Sequence, residues 1–415
     1  MNEIKENTKA AKSGYKQTKL GWIPEDWEIK EINKKIELSK DRFDPRKESD
    51  FFKCIELENI NKETYSINGY FDSRNQKSNK NVFRRGDILF GKLRPNLRKY
   101  WLAEFDGVCS TEIWVLRGKA KELDNFFLGY FVQQERFYLI SNVTSGSKMP
   151  RADWKFVQNY PMLFPPIKEQ KAIADCLGTW DNAITKLTDL IIAKETHKKA
   201  LMQQLLTGKK RLPGFDREWE IKSLSEISTR VTRKNKEAND NVVTISAQRG
   251  FIRQEEFFNK RVASDTLLNY TLVHRGEYCY NKSYSSGYPM GAFKRLDRFE
   301  KAVVTTLYIC FKLKEDVNSD FMNHFFEAGK MIPGLMRIAQ EGGRAHGLLN
   351  ISLSDFFGLT LKLPLLKEQT AIANILNTAD KEIQLLKEKL EELKLQKKGL
   401  MQQLLTGKKR LKVKN

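Results

Sequence analysis

The sequence lacks long apolar runs and closely spaced metal-binding pairs. No uninterrupted apolar stretch approaches the ~20 residues needed to cross a bilayer, and residues 1–15 are too polar and charged for a signal peptide. We therefore expect a cytoplasmic protein that does not enter a membrane. The 5 cysteines and 4 histidines are scattered, without the Cys-x-x-Cys spacing that brings two thiolates to one zinc ion. We expect no metal site, and cysteines that are reduced and serve packing.

Motifs for nucleotide binding and methyl transfer are also missing. Every Gly-Lys pair lacks the Ser or Thr that completes a phosphate-binding loop. The Asn-Pro-Pro-Tyr type of motif, with which an adenine methyltransferase holds a flipped base, does not occur; Phe164-Pro-Pro-Ile167 lacks its polar first and aromatic last residue. The chain is therefore expected to be non-catalytic and to bind no cofactor itself.

Positive charge, by contrast, is in excess. The 73 Lys and Arg outnumber the 52 Asp and Glu, which gives a formal net charge of +21. Such an excess costs self-repulsion in the free protein, so it indicates a polyanionic partner, with nucleic acid the first candidate. A merely basic surface remains the alternative, because charge alone carries no specificity. With 415 residues, the chain can hold two or three domains with separate cores.

The chain contains an internal repeat. Residues 201–212, LMQQLLTGKKRL, recur identically at 400–411, which excludes chance. The same offset aligns PPIKEQ at 165–170 with PLLKEQ at 364–369. The sequence therefore predicts two related halves.

Between these anchors, each half has a heptad pattern. Apolar residues recur at alternating steps of three and four, typical of a coiled-coil seam of about five heptads. Each segment begins after proline and ends at Thr-Gly, a favoured helix stop, so we predict two helices of roughly 40 residues, about 60 Å long. The seam comprises Ile173, Leu177, Trp180, Ile184, Leu187, Ile191, Leu201 and Leu205 in the first helix, and Ile372, Leu376, Ala379, Ile383, Leu386, Leu390, Leu393, Leu400 and Leu404 in the second.

An apolar seam cannot stay exposed to water. The simplest arrangement pairs the two helices antiparallel, which relates the halves by a pseudo-twofold axis and places the two intervening domains at opposite ends. The alternative is that each helix caps its own domain.

The segments before the helices match more loosely. The matching stretches are 27–30 with 219–222, 85–90 with 275–280, and 107–116 with 302–311. The last two pairs are rich in β-branched and aromatic residues and predict strands. A helix is expected next, opened by Asp124 in one half and by Asp320 in the other. We therefore predict an α+β fold that the two halves share.

This arrangement resembles the specificity subunit of Type I restriction-modification enzymes, in which a target-recognition domain, a helix opened by Pro-Pro-x-x-Glu-Gln, a second recognition domain and a second helix follow one another. The likeness covers about Gly21 to Leu411 and depends chiefly on PPIKEQ, PLLKEQ and the duplicated LMQQLLTGKKRL. The departure is Leu365, where the first copy has Pro166; it concerns only how the second helix starts.

The resemblance implies an order of domains. They are a polar tail at 1–20, a first recognition domain at 21–163, a first spacer helix at 164–209, a second recognition domain at 210–362, a second spacer helix at 363–407 and a basic tail at 408–415.

The resemblance also implies a division of labour. Family members read an asymmetric, two-part sequence in double-stranded DNA, one part per domain, while the helices set the gap. They have no catalytic site and bind two methyltransferase (modification) subunits and, in the full complex, two restriction subunits. Those partners are expected to use S-adenosylmethionine, ATP and Mg. The outer faces of the helices and the Glu-Gln junctions are the expected docking surfaces.

Base-reading residues are expected in the loops that leave the shared strands, because readout needs forked or amide donors and acceptors at base edges. The loop at 91–99 and its counterpart at 281–288 start at equivalent places but differ in chemistry, as two half-sites require. A solvated hairpin without DNA contact remains the alternative for individual residues. The candidates are Lys92, Arg94, Asn96, Arg98 and Lys99 in the first loop, and Asn281, Lys282, Ser283, Tyr284 and Tyr288 in the second.

A second pair of loops follows the helix in each half, at 145–151 and at 341–346. Their glycines permit close approach to phosphate, although a helix cap and turn would also place glycine there. A weaker candidate is the loop at 248–253. The donors in these loops are Lys148, Arg151, Arg344, His346, Arg249 and Arg253.

Two other functions remain as alternatives. A fused restriction or modification enzyme would need the motifs that the sequence lacks. A structural coiled-coil scaffold would bind no nucleic acid. Preference for one bipartite duplex, weakening steeply with salt through counterion release, distinguishes recognition from scaffolding.

Overall fold

The structure, a computed structural model, describes residues 13–119, 122–143, 149–258, 267–339 and 347–411. These residues form two compact units. The first contains the described residues up to Leu187 and those from Lys389 onward, and the second contains the described residues between Thr188 and Glu388. Each of the two long helices therefore contributes one stretch to each unit.

The first unit is a mixed α+β unit. Its strands, in the described ranges, are β1 Tyr15–Thr18, β2 Gly21–Pro24, β3 Glu28–Glu31, β4 Ile36–Leu38, β5 Arg42–Phe43, β6 Lys53–Ile55, β7 Phe71–Asp72, β8 Lys80–Phe83, β9 Ile88–Gly91, β10 Tyr100–Leu102, β11 Gly107–Ser110, β12 Ile113–Gly118 and β13 Pro161–Phe164. Its α-helices are α1 Ile32–Lys35, α2 Asn125–Phe131, α3 Glu135–Ser141, α4 Trp154–Val157, the start of α5 Ile167–Leu205 and the end of the second long helix, from Lys389 to Leu404.

Two sheets lie at the centre of this unit, one with the order β10-β9-β12-β4 and one with the order β5-β8-β11-β6-β7. Strand β9 is buried on both faces, so it reads as a continuous apolar run instead of an alternating one. Ile88 and Phe90 pack with α2, α3 and the start of α5, whereas Leu89 packs against the second sheet. Because successive side chains of a strand point to opposite faces, β9 contributes to two separate cores, one on each side of its sheet.

The second unit repeats the four-stranded sheet of this plan, whereas in place of the five-stranded sheet its described residues form two sheets of two strands each. Its strands are β14 Glu220–Ser223, β15 Ser228–Arg230, β16 Val243–Ser246, β17 Gly250–Arg253, β18 Thr271–His274, β19 Tyr278–Asn281, β20 Ala292–Arg295, β21 Lys301–Val304, β22 Ile309–Leu313 and β23 Thr360–Leu363, within the part of the chain that is described. Its helices are the end of α5, α6 Leu224–Ile227, α7 Gln254–Phe258, α8 Ser319–Glu327, α9 Ile332–Ile338, α10 Leu353–Phe357 and the start of α11 Leu366–Leu404.

The repeat is visible in strand order. The sheet β20-β19-β22-β15 has the order of β10-β9-β12-β4, element for element. Strand β19 is also buried on both faces, with Tyr278 and Tyr280 in the helix-covered core and Cys279 in the core on the opposite side. The two matching pairs of stretches 85–90 with 275–280 and 107–116 with 302–311 therefore form equivalent central strands.

The long helices run antiparallel where they meet within each unit. In the first unit, Leu177 near the start of α5 shares a core with Leu404 at the end of α11. In the second unit, Lys194 lies 2.6 Å from Glu382, and Lys387 lies 2.6 Å from Glu195. Every residue of the expected seam is buried or half-buried. Within the described ranges, neither the long helices nor the shorter ones contain the apolar stretch that a transmembrane span requires.

Two local expectations need correction. Strand β1, which pairs antiparallel with β2, lies in the segment expected to be a polar tail; its side chains are polar, but its backbone is satisfied by pairing. Helix α8 is capped by the Asn318 side chain, which accepts from the Phe321 N–H at 2.9 Å, and not by Asp320. Asp320 instead accepts a hydrogen bond from Arg295 at 2.7 Å.

Candidate nucleic-acid interface

In the first unit, the loop at 91–99 lies beside residues 150–152, at the described end of the second candidate loop. The loop at 91–99 begins where the buried strand β9 ends. At its start, the Lys92 N–H donates to the Glu112 carbonyl at 2.9 Å. The Arg94 N–H donates to the Pro150 carbonyl at 2.8 Å, and the Ala152 N–H donates to the Lys92 carbonyl at 2.9 Å. These backbone bonds place Lys92, Arg94 and Arg151 on one surface.

In the second unit, the loop at 281–288 is joined in the same way to residues 347–349. The candidate loop at 341–346 itself lies outside the described residues. The Tyr284 N–H donates to the Gly347 carbonyl at 2.9 Å, and the Leu349 N–H donates to the Lys282 carbonyl at 3.1 Å. The expectation of a loop at 248–253 is wrong for its larger part, because Gly250–Arg253 form strand β17, paired with β16. The turn before this strand reaches the same place, because the Gln248 amide donates to the Ser286 carbonyl at 3.2 Å. Three described segments that are far apart in sequence thus converge.

The two loop pairs are equivalent position by position. An isolated bridge joins Leu93 with Arg151 in the first unit, and another joins Ser283 with Leu348 in the second. Arg94 therefore occupies the place of Tyr284. Both side chains are exposed, Tyr284 to 64%, and one offers a forked cation whereas the other offers a ring and a hydroxyl.

The remaining candidates differ in accessibility. Asn96, Arg249 and Arg253 are exposed, whereas Asn281 and Tyr288 are half-buried. Three candidates lie outside the described residues, namely Lys148, Arg344 and His346.

Arg98 is held by acidic and aromatic neighbours. Its Nη2 donates to both carboxylate oxygens of Glu135, at 3.0 and 2.8 Å, and its guanidinium carbon lies 3.8 Å from the centre of the Tyr138 ring. Lys99 donates to the Leu57 carbonyl at 2.6 Å, and burial lowers the pKa of Lys99. We interpret Arg98 and Lys99 as residues that fix the loop, which leaves Arg94 as its exposed cation.

An open cleft of about 270 Å³ lies beside residues 249–252 of the second unit. Arg249, Arg295 and Arg298 line it together with Glu256 and Asp297. Arg298 pairs with Glu256 at 3.1 Å and Arg295 with Asp297 at 2.7 Å, so the acidic residues partly neutralise the arginines. The cleft thus places Arg249 next to two arginines that are already oriented by ion pairs.

A buried ion pair fixes the turn that precedes each central strand. Asp87, 2% exposed, accepts two hydrogen bonds from Arg117 at 2.7 Å and one from the Arg84 N–H at 2.8 Å. In the second unit, Glu277 pairs with Arg233 at 3.1 Å and accepts from the His274 N–H at 2.8 Å. The scaffold behind the two loop sets is therefore conserved in chemistry between the units, although the loops are not.

The duplicated motif docks into each unit through an arginine that sequence reasoning did not single out. In the first unit, Arg410 donates to both oxygens of Glu169, at 3.1 and 2.6 Å, and Trp27 Nε1 donates to Glu169 at 3.0 Å. In the second unit, Arg211 donates to both oxygens of Glu368, at 2.7 and 2.8 Å. The sequence contained one indication of this contact, because both the arginine and the glutamate are present in each copy of the repeat.

The neighbouring glutamines close the same junction. Gln170 Oε1 accepts from the Asp124 N–H at 2.9 Å, and Gln369 Oε1 accepts from the Asn318 N–H at 2.8 Å. The Glu and Gln side chains of both junctions are 1–3% exposed. The expectation that the Glu-Gln junctions are docking surfaces is therefore wrong for these four side chains, because internal partners cover them.

Comparison with known proteins places this arrangement among relatives. The family model described as "Type I restriction modification DNA specificity domain" matches twice, at residues 24–194 and 216–395. The MjaVIII Type I restriction enzyme specificity subunit of Methanocaldococcus jannaschii is 26% identical, over 94% of each chain. Among solved structures, the HsdS subunit from Thermoanaerobacter tengcongensis has a TM-score of 0.52 at 18% identity, with 93% of this chain and 98% of that chain covered. The Type-I restriction-modification system S subunit from M. genitalium has a TM-score of 0.53 at 15% identity, with 91% and 96% covered.

Proposed function

The chain belongs to the Type I restriction-modification DNA specificity family, and from this premise we propose that it is a non-catalytic subunit that reads a two-part DNA target. Each unit reads one part, through the loops that converge at the end of its central strand. The first unit uses Arg94 and Arg151 with the lysines beside them. The second unit uses Tyr284 with Arg249 and its neighbours.

The observation that carries this proposal is the equivalence of the two loop sets. The same backbone bonds join the loops in both units, but the exposed side chains differ in type. Phosphate contacts carry no sequence information, so a pure backbone binder would have no need of different side chains on one scaffold. Arginine suits guanine, whereas an aromatic hydroxyl suits other base edges and apolar contact. Two unlike surfaces on one fold therefore support an asymmetric, bipartite target.

We further infer a complex of several subunits. Two modification subunits bind the chain, and two restriction subunits join them in the full cytoplasmic assembly. The partners supply S-adenosylmethionine, ATP and Mg. This division of labour is supported by the family and by the absence from the sequence of methyltransferase and nucleotide-binding motifs. Because internal residues cover the Glu-Gln junctions, we place the partner surface on the outer faces of the long helices.

The test begins with the full chain and a library of duplexes that are randomised at every position. We expect one bipartite sequence to be enriched, with a non-specific gap, and affinity that falls steeply with salt because the bound cations release counterions. Sequencing of methylated adenines in a host that expresses the chain with its modification subunits should give the same motif. Enrichment of no sequence, or of a single continuous one, would contradict the proposal, as would methyl transfer by the chain alone.

A further inference from the structure

The same type of turn lies beside the loops of both units, but the side chain at its last position differs between them. The Glu112 N–H donates to Ser110 Oγ at 3.4 Å just before β12. The Leu307 N–H donates to Thr305 Oγ1 at 3.4 Å just before β22. A hydroxyl two residues back thus fixes the backbone in the same way in both units. Glu112 and Leu307 are therefore equivalent positions on a rigid turn.

The Glu112 turn belongs to the loop surface of the first unit. Its carbonyl accepts from the Lys92 N–H at 2.9 Å, and its Oε2 accepts from Arg151 Nε at 2.9 Å. The other carboxylate oxygen, Oε1, makes no hydrogen bond to any described residue, and the Glu112 side chain is 28% exposed. Glu112 therefore keeps one carboxylate oxygen without a hydrogen bond to a described residue, on a partly exposed side chain between Lys92 and Arg151.

Leu307 has the corresponding place in the second unit. The ladder between β19 and β22 ends at the pair of Tyr280 with Ile309, so Leu307 lies two residues before this pair along the chain and Lys282 lies two residues after it. The Leu307 side chain is 56% exposed, although contact of an apolar side chain with water is unfavourable. The second unit therefore has an apolar side chain beside the start of its loop, at the position where the first unit has a carboxylate.

The two side chains suit different base edges. A carboxylate repels phosphate, so its presence among Lys92 and Arg151 is unfavourable for backbone binding alone; in the major groove it accepts a hydrogen bond from the cytosine amino group. An exposed aliphatic side chain packs on the thymine methyl group, the apolar feature of the major groove.

We propose that Glu112 and Leu307 are equivalent specificity-determining residues: Glu112 selects cytosine in one half-site, and Leu307 selects thymine, through its methyl group, in the other. This inference rests on the proposed function and deepens it. Neither residue was among the sequence-predicted candidates, because the turn becomes part of the loop surface only through pairing between strands.

The test for Glu112 uses Glu112→Gln in the full chain, with selection from duplexes randomised at one base of the half-site at a time. We expect preference for cytosine to fall at least about 10-fold at a single position and to move toward adenine, because the glutamine amide oxygen can accept from adenine N6 while the amide nitrogen donates to N7. The other half-site should not change. Glu104→Gln, an exposed glutamate beyond the far end of β10, is the matched control.

A uniform loss of affinity for all sequences, equal to that of Arg151→Ala, would overturn the assignment and leave Glu112 as a residue that only positions Arg151. If the wild type enriches no bipartite sequence, the proposed function fails instead, so the two failures are distinguishable.

The test for Leu307 uses deoxyuridine, which lacks the thymine methyl group. Substituting each thymine of the half-site in turn should weaken wild-type binding about fourfold at one position, as expected for one buried methyl group. The Leu307→Ala variant should bind both duplexes equally. Ile221→Ala, at an aliphatic residue that is 72% exposed, should behave as the wild type. Equal wild-type binding to thymine and uracil at every position would overturn this half of the inference.

Discussion

At the scale of residues, the two units place unlike side chains at equivalent positions of the loops that we propose to read DNA. Arg94 and Tyr284 share one backbone environment, yet only Arg94 can hold guanine with two parallel hydrogen bonds. Arg98, four residues further on, is oriented by Glu135 and the Tyr138 ring. Arg94 and Arg98 therefore carry the same charge in the same loop but are expected to have different roles.

Substituting these two arginines should separate readout from positioning. Arg94→Ala is expected to relax base preference in one half-site by ~1–3 kcal/mol, if the contact to guanine is bidentate. Arg98→Ala should weaken binding without changing which bases are preferred, because it loosens the loop instead of removing a base contact. Competition binding with single-base variants of both half-sites measures this. A change of preference in both half-sites for Arg94→Ala would point to misfolding.

A second divergence lies where the recognition domain meets the long helices. Tyr130 of the first unit donates to Asp181 at 2.7 Å. At the equivalent place the second unit has His324, whose Nε2 lies 2.8 Å from Asn377 Oδ1 and whose Nδ1 lies 3.9 Å from Asp380. Burial lowers the pKa of His324 below its ordinary value of 6.5, and the positive charge of Lys198 acts in the same direction. The second unit therefore has a buried imidazole, which can gain a proton in mild acid, where the first unit has a tyrosine.

The second unit should accordingly lose stability in mild acid. Because the folded-state pKa of His324 lies below the unfolded value, the unfolded chain takes up the proton first; stability is present above about pH 6.5 and is lost as the pH falls toward the folded-state value. We expect a lower free energy of unfolding at pH ~5.5 than at ~7.5, and a smaller difference for His324→Gln. The exposed His197 provides the control variant His197→Gln, and an equal effect of that variant would refute the assignment.

At the scale of elements, the end of each long helix is where packing most restricts which residue types the sequence can have. Leu404 and Leu405 are buried in the core of the first unit, and Leu205 and Leu206 in that of the second. Gly407 adopts a left-handed conformation with φ 70°, and a Cβ there would approach the Pro24 ring to 2.5 Å. The identity of the two LMQQLLTGKKRL copies therefore reflects a shared docking site for apolar residues, a glycine and an arginine, in addition to any constant helix length.

Removing the docking arginine should destabilise one unit at a time. Arg410→Ala leaves the buried Glu169 without its cation, at a cost of about 2 kcal/mol or more, and should increase amide hydrogen exchange in the first unit. Arg211→Ala should do the same in the second unit through Glu368. Lys409→Ala and Lys210→Ala, at exposed neighbouring positions, are the matched controls. If either arginine variant affected both units equally, separate docking would be disproved.

The elements that sequence analysis predicted best are those whose signal is local and long. Each long helix has 39 residues, and a heptad pattern that extends over most of such a length remains recognisable despite local exceptions. The cap of α8 was misassigned because Asn318 and Asp320 are both good capping residues and only the backbone geometry decides between them. Strand β1 was missed because its polar residues, YKQT, have no apolar alternation.

The candidate site was predictable in its parts but not in its assembly. The loops at 91–99 and 281–288 were found because they follow predicted strands. Their pairing with residues 150–152 and 347–349 depends on backbone bonds between distant segments, which no spacing in the sequence encodes. The same holds for Glu169 and Arg410, 241 residues apart, and for Glu112, whose role appears only once β9 and β12 are paired.

At the scale of the whole molecule, each long helix belongs to both units, so a change in its length must be matched in the other helix. We consider one heptad inserted after Leu187 in α5 and one after Glu388 in α11, at the boundaries between the units. Seven residues advance a helix by about 10 Å in close to two turns, which keeps the seam in phase. At ~3.4 Å per base step, this corresponds to about three base pairs.

The double insertion should therefore lengthen the preferred gap between half-sites by about three base pairs and leave the bases that are read unchanged, as measured by selection from duplexes with gaps of every length. Insertion in α5 alone leaves seven residues without a partner along the seam, so we expect lower thermal stability and no new preferred gap. If the double insertion read both half-sites at the original gap, the helices would not set the spacing. If it bound no half-site while both units stayed folded, the register between the helices would matter for readout itself, and the idea of independent recognition domains would be wrong.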